Sequence, residues 1–191
     1  FIYAQNDQTQ KAVDALSECM KINALPKNAA LSTRYALAQL AMADEKPELA
    51  LKQLENWFPY VEKPKAQAYV LLATAYSSLK KHSYAISPLK EALKLEEKEQ
   101  WQQFLLAVYF QSKDLKSAAG VLEHLTANYP EKEKYWKQLS GIYLQLEKNQ
   151  EALAVMEIAH SQGFLKSKGE IKNLYSLYME RGIPYQAALV I

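Results

Sequence analysis

Apolar residues along the chain recur at the spacing of a helix rather than of a strand. The clearest stretch is Ala66–Glu97, AQAYVLLATAYSSLKKHSYAISPLKEALKLEE. Tyr69, Leu72, Ala73 and Tyr76 fall at i, i+3, i+4 and i+7, on one face of a 3.6-residue helix. Ala85, Leu89, Ala92 and Leu93 make a second face of the same kind. Between them lies the polar run Lys80-Lys81-His82-Ser83, with Ser83 placed to accept from the free N–H groups that open the second helix. Neither helix can bury its stripe alone, so the stretch predicts a helical hairpin.

The pair Tyr76/Ala85, nine residues apart, recurs as Tyr109/Ala118, Tyr143/Ala152 and Tyr178/Ala187, and the tyrosines are 33, 34 and 35 residues apart. Upstream, Ala41/Ala50 occupies the register with the tyrosine replaced, and Tyr3/Ala12 occupies it again. Six registers, the first step lengthened to 38 residues by the loop Ala24–Asn28, are the mark of a repeat array. The small residue has a physical reason: two helices approach to about 8–10 Å only where one side chain is small, and alanine lets the facing helix lay an aromatic on it.

Reading in register divides residues 1–191 into a half repeat over 1–24, whole repeats near 28–62, 63–97, 98–131 and 132–165, and a partial repeat over 167–191. Tyr3 is expected near the end of a first helix, with Asp7–Ile22 as a second. The array is therefore expected to be cut at both ends, since AALVI is not the polar cap a solenoid needs. Pro47 sits at a first-turn position where a missing N–H costs nothing. Pro88, one turn inside a second helix, predicts a bend. Gly163 is placed to stop a helix in the left-handed conformation.

Composition narrows the class. Ala, Leu, Lys, Glu and Gln dominate, glycine is limited to five residues, and Val/Ile/Thr alternation is missing, so the fold is all-α. A net charge of +2 is too small to mark nucleic acid or a membrane surface as the main partner. No apolar run approaches the ~18 residues of a membrane span, so no direct insertion is expected. Cys19 is alone and reads as a small buried hydrophobe.

The central unit resembles the tetratricopeptide repeat (TPR). The residues that carry the resemblance are Tyr69-Leu72-Ala73-Tyr76-Ala85-Leu89-Ala92 and Trp136-Leu139-Ser140-Tyr143-Ala152-Met156-Ala159. The resemblance covers essentially the whole chain and departs from the pattern at Ala41, at Leu106 and at most closing prolines, of which only Pro130 is in register. It implies a TPR-like α-solenoid, a right-handed superhelix of antiparallel helix pairs. A second likeness, confined to Asn173–Ile191, NLYSLYMERGIPYQAALVI, is to TPR proteins encoded beside ExbB, ExbD and TonB components in Gram-negative bacteria. That likeness implies a periplasmic accessory of TonB-dependent outer-membrane transport, with the cytoplasm as the alternative compartment.

Candidate chemistry is sparse. His82, His124 and His160 have no partner at metal-ligand spacing, so no metal or cofactor is expected. Ser77-Ser78-Leu79-Lys80 formally matches an S-x-x-K acyl-enzyme motif without its companion motifs. The glycines never cluster into a phosphate loop. Glu96-Glu97 and Glu131/Glu133 lie at helix ends beside lysines, as solvated faces do. Enzyme activity is not expected within this chain.

The remaining candidate is the groove that the resemblance implies along the first helices. In register its residues are Tyr35, Val70, Gln103, Lys137 and Lys172, then Gln39, Thr74, Ala107, Gly141 and Ser176, then Met42, Ser77, Phe110, Leu144 and Met179. Met and Leu at this spacing in the third row equally suit core. The site residues taken forward are Tyr35, Gln39, Val70, Thr74, Gln103, Phe110, Lys137 and Lys172. The first row runs from apolar to basic, suiting a protein segment with apolar anchors at one end and carboxylates at the other. The Lys and Asn pattern with which some TPR domains clamp a chaperone's terminal carboxylate is not matched, because Thr74, Ala107 and Gly141 stand where Asn is needed. The leading expectation is a non-catalytic scaffold that binds a partner peptide or helix. Its alternatives are an RNA-reading helical array, disfavoured by apolar groove residues and low charge, and a docking arm of an enzyme whose catalytic domain lies elsewhere.

Overall fold

The computed structural model describes residues 2–21 and 25–190, with side chains from residue 8 onward. Among the described residues there are α-helices, one 3₁₀ turn and no strand. The helices are α1 (Ile2–Lys21), α2 (Lys27–Ala43), α3 (Pro47–Glu55), α4 (Ala66–Ser78), α5 (His82–Leu95), α6 (Glu99–Gln111), α7 (Leu115–Asn128), α8 (Glu133–Gln145), α9 (Asn149–Ser161), α10 (Lys168–Glu180) and α11 (Pro184–Leu189), with the 3₁₀ turn at Phe58–Tyr60. Residues 1–108 and 109–191 form two compact units.

In the first unit α1 packs on α2, α2 on α3, α3 on α4 and α4 on α5; in the second α7 packs on α8, α8 on α9, α9 on α10 and α10 on α11. The small residue of each hairpin is sealed, with Ala50, Ala85, Ala118, Ala152 and Ala187 all at 0% exposure. A residue larger than alanine at any of these positions would have no space.

The period is also written into the backbone. In each turn that follows α2, α4, α6, α8 and α10, one residue is left-handed: Glu45 (φ 55°), Lys80 (57°), Lys113 (57°), Glu147 (56°) and Gly182 (75°). The next N–H then donates back to the register residue's carbonyl: Lys46 to Ala41 (2.8 Å), Lys81 to Tyr76 (2.9 Å), Asp114 to Tyr109 (3.0 Å), Lys148 to Tyr143 (2.9 Å) and Ile183 to Tyr178 (2.9 Å). A second bond runs from each left-handed residue to the carbonyl three back, at 2.9–3.3 Å. These are five Schellman turns in one register. They explain why Ala41 can replace tyrosine, because the turn needs only its carbonyl.

Several expectations are corrected. No break follows Tyr3, since α1 runs without interruption from Ile2 to Lys21; the segment Ala4-Gln5-Asn6-Asp7 holds neither Gly nor Pro to end it. The side chain of Tyr3 lies outside the described residues, as does the structure of Ile22. Ser83 does not cap α5, which starts at His82 behind Lys81 with no side-chain cap. The turn geometry brings the chain into the helix one residue early. Cys19 is half-buried rather than enclosed. Other positions fall as expected: Pro47 opens α3 and Gly163 is left-handed at φ 73°. At Pro88, where a bend was expected, α5 continues as one helix with the proline ring buried. The acceptor Pro88 leaves free belongs to Tyr84, an exposed residue.

Among the described residues, the starts of α7 and α10 carry side-chain caps. Asp114 accepts from the Ser117 N–H at 3.0 Å. Ser167 and Glu170 form a reciprocal capping box at the start of α10, a pairing legible as Ser-x-x-Glu in the sequence.

Candidate functional site

In residues 1–108, Trp57 stands in the register that Ala92 fills one repeat later, a position buried at 0% exposure. An indole does not fit an alanine site. Accordingly α3 stops at Glu55 and the chain turns through Phe58–Tyr60. The rings then form a ladder: Tyr35–Trp57 at 4.9 Å between centroids, Trp57–Phe58 edge-on at 5.2 Å and Phe58–Tyr69 at 5.0 Å. Beside it opens a pocket of about 430 Å³, lined from α2 by Asn28, Leu31, Ser32, Tyr35, Ala36 and Gln39 and from the following segment by Trp57 and Val61. Burial pushes the Tyr35 phenol above its ordinary range, so it keeps its proton.

The structure thus brings Tyr35 and Gln39 together in one pocket and leaves the other candidates of this unit outside it. Val70 is half-buried against Ala66, Ala92 and Trp101. The Thr74 hydroxyl donates to the Val70 carbonyl at 2.8 Å, and the Gln103 amide donates to Glu99 at 2.8 Å. Of the third row, Met42 packs against the core of this unit.

In residues 109–191, Phe110 is 37% exposed and Met179 46%. Lys137 is not a free charge. Its Nζ lies 2.7 Å from Glu170 and 2.8 Å from Glu133, and Lys166 reaches Glu133 at 3.0 Å. Burial raises the Glu170 carboxyl, but Lys137 and the Ser167 and Lys166 N–H groups outweigh it and hold it at about 2. Hydrogen bonds to Glu133 and Glu170 raise the Lys137 ammonium. Lys172 is exposed. The basic end of the row therefore presents Lys172, while Lys137 ties α8 to α10.

The register tyrosines carry a further set of bonds that the sequence reading missed. The Tyr76 hydroxyl donates to Glu55 at 3.4 Å, Tyr143 donates to Glu123, and Tyr178 bonds Glu157. Each carboxylate lies on the second helix of the preceding repeat, 20 or 21 residues back, and that spacing was the available signal. Burial, then these carboxylates, raise all three phenols, Tyr178 to about 12. Tyr109 has Pro88 and Leu89 at those two positions instead.

Among the described residues no cluster of His, Cys, Asp or Glu could hold a metal ion. His124 pairs with Asn128 at 2.9 Å. Lys80 of the S-x-x-K match is a turn residue whose N–H bonds the Ser77 carbonyl at 2.9 Å. Glu96 pairs with Lys98 at 2.5 Å. A second pocket of about 480 Å³, lined by residues including Lys148, Asn149, Leu177, Glu180 and Arg181, is crossed by Asn149–Glu180 bonds of 2.8 and 3.0 Å. No helix of the described residues is long and apolar enough to cross a membrane.

Repeated hairpins with one turn geometry and sealed alanines define a TPR-like α-solenoid, and solved structures agree. The chain is similar to MamA 41-end from Desulfovibrio magneticus RS-1, at 20% identity and a TM-score of 0.54 over 84% of this chain and 90% of that one. It is similar to YrrB, a TPR protein with an unusual peptide-binding site, at 14% identity and 0.62 over 84% and 81%. A chain in the structure of Naa15/Naa10 bound to HypK-THB matches at 18% identity and 0.71, over 98% of this chain and 29% of that one. No family model and no curated protein matches the sequence.

Proposed function

We propose that this chain is a non-catalytic scaffold that holds a peptide or helix from a partner protein against the first helices of its hairpins. The observation that carries the reading is the pocket on α2, where Tyr35 and Gln39 of the candidate face line open volume beside the packed Tyr35 and Trp57 rings. The likeness in fold to YrrB, whose structure is described as containing a peptide-binding site, supports the same use of the fold. Candidate contacts are Tyr35, Gln39, Val70, Thr74 and Gln103 in residues 1–108, and Phe110, Lys137 and Lys172 in residues 109–191. Lys172 is the cation of the face open to a partner carboxylate, because Lys137 is already matched by two.

The test is capture of immobilised synthetic peptides by the full chain. Gln39→Ala and Lys172→Glu should each weaken capture with helicity unchanged by circular dichroism, whereas Ser87→Lys on α5 should not. Unchanged capture in both first-helix variants refutes the assignment. Steeply salt-dependent nanomolar binding of single-stranded RNA instead of peptide would overturn the class of partner.

On the likeness of Asn173–Ile191 alone, we further propose the periplasm as the compartment and TonB-dependent uptake as the process served. Fractionation of the native protein into the cytoplasm refutes this without touching the scaffold reading.

A further inference from the structure

The pocket on α2 differs in chemistry from the basic end of the candidate face at Lys137 and Lys172. Its lining contains no charged side chain. Instead Asn28, Ser32, Tyr35 and Gln39 recur at i, i+4, i+7 and i+11 along one face of α2, and Trp57 closes the side. Among the described residues none of the Asn28, Ser32 or Gln39 side chains makes a hydrogen bond, so all three keep their capacity to donate. The Tyr35 phenol stays protonated, and the Trp57 indole can only donate. Flat rings beside neutral groups that can donate suit an uncharged occupant that offers carbonyl acceptors.

We propose that this pocket docks an extended, proline-rich segment of a partner protein. Proline residues present carbonyls without N–H groups, and their rings pack on aromatic faces such as those of Tyr35 and Trp57. The length also fits. Asn28 and Gln39 are eleven residues apart, about 16 Å along the helix, which a polyproline II segment covers in about five residues at about 3.1 Å each. The pre-extended segment loses little conformational entropy on docking. The cause of the pocket is local, since Trp57 in an alanine register ends α3 early and aims its ring at Tyr35.

This inference rests on the scaffold reading and names its occupant. Its test measures binding of fluorescein-labelled decaproline to the full chain by polarisation, beside an uncharged proline-free peptide of the same length and an acidic amphipathic helical peptide. Ser32 and Gln39 are exposed, so substitutions there leave the core intact. Decaproline should bind saturably and the proline-free peptide should not; Gln39→Ala should weaken binding about tenfold, and Ser32→Glu, which sets a carboxylate against the carbonyls, by more. Decaproline binding that both variants retain overturns the inference. Binding of the acidic helical peptide alone, lost on Lys172→Glu, overturns it and leaves the scaffold standing. Binding of none of the three overturns the inference, and failure of the wider peptide set as well overturns the scaffold.

Discussion

Four of the five left-handed turn residues are not glycine, and that makes the turns a sharp test of the repeat. Lys80, Lys113 and Glu147 hold φ near 57° at exposed positions, and none has a side-chain ion pair among the described residues. Holding an L-residue there costs about 1–2 kcal/mol. Replacing it with glycine removes that cost but returns about 0.5–1 kcal/mol through the looser unfolded chain. Each of Lys80→Gly, Lys113→Gly and Glu147→Gly should therefore stabilise by about 0.5–1 kcal/mol. The sites are 33 and 34 residues apart without shared partners, so the triple variant should gain about 2 kcal/mol. With an unfolding entropy of about 2.1 cal/mol/K per residue, that is a rise in Tm of about 5 °C. Gly182→Ala should do the reverse, lowering Tm by about 1–3 °C, because a Cβ there meets nothing within 4 Å and only the backbone is strained. Scanning calorimetry reads both signs. Gln138→Gly, in the exposed middle of α8, is the control that should cost about 1 kcal/mol. If Lys80→Gly lowers Tm as Gln138→Gly does, the turns do not have the geometry that defines the repeat.

Further expectations follow from burial and charge. Ala152→Leu should destabilise by about 1–3 kcal/mol in urea melts, whereas Ala154→Leu on the exposed face stays within about 0.5; equal effects would contradict the sealed hairpin. Glu170 titrates near 2 when folded and higher when unfolded, so its contribution is complete above about pH 4.5 and is lost as pH falls toward 2. The urea midpoint of Glu170→Gln should accordingly fall less than wild type over that range, and parallel curves would exclude the cluster. The raised Tyr178 phenol has the opposite sign: its contribution is complete below about pH 10 and drains as pH rises toward 12. Tyr178→Phe should resist that loss, and identical alkaline curves would refute the Tyr178–Glu157 bond.

What could be read in the sequence is what local rules decide. The period, the helical hairpins and the buried alanines follow from spacing, because a helix fixes which residues share a face. Pro47 and Gly163 follow from backbone chemistry that only those residues supply cheaply. The rest depends on residues far apart in the chain. Of the two partners of Lys137, Glu133 lies one helical turn back, whereas Glu170 lies 33 residues on, beyond any local rule. The pocket on α2 was half legible, since Tyr35 and Gln39 were in register, but nothing local said that Trp57 would end α3 and swing to Tyr35. The left-handed turns were hidden because Glu and Lys occupy positions where glycine would have announced them. At the other extreme, Tyr3/Ala12 matched the register by spacing alone, and α1 passes through it as one helix.

The most direct measurement of the proposed function is an amide chemical-shift titration of the full chain with a peptide selected by capture. The proposed function predicts that the shifted amides cluster on the first helices, led by α2 around Tyr35 and Gln39. Shifts confined to the second helices α3, α5, α7, α9 and α11 would contradict it.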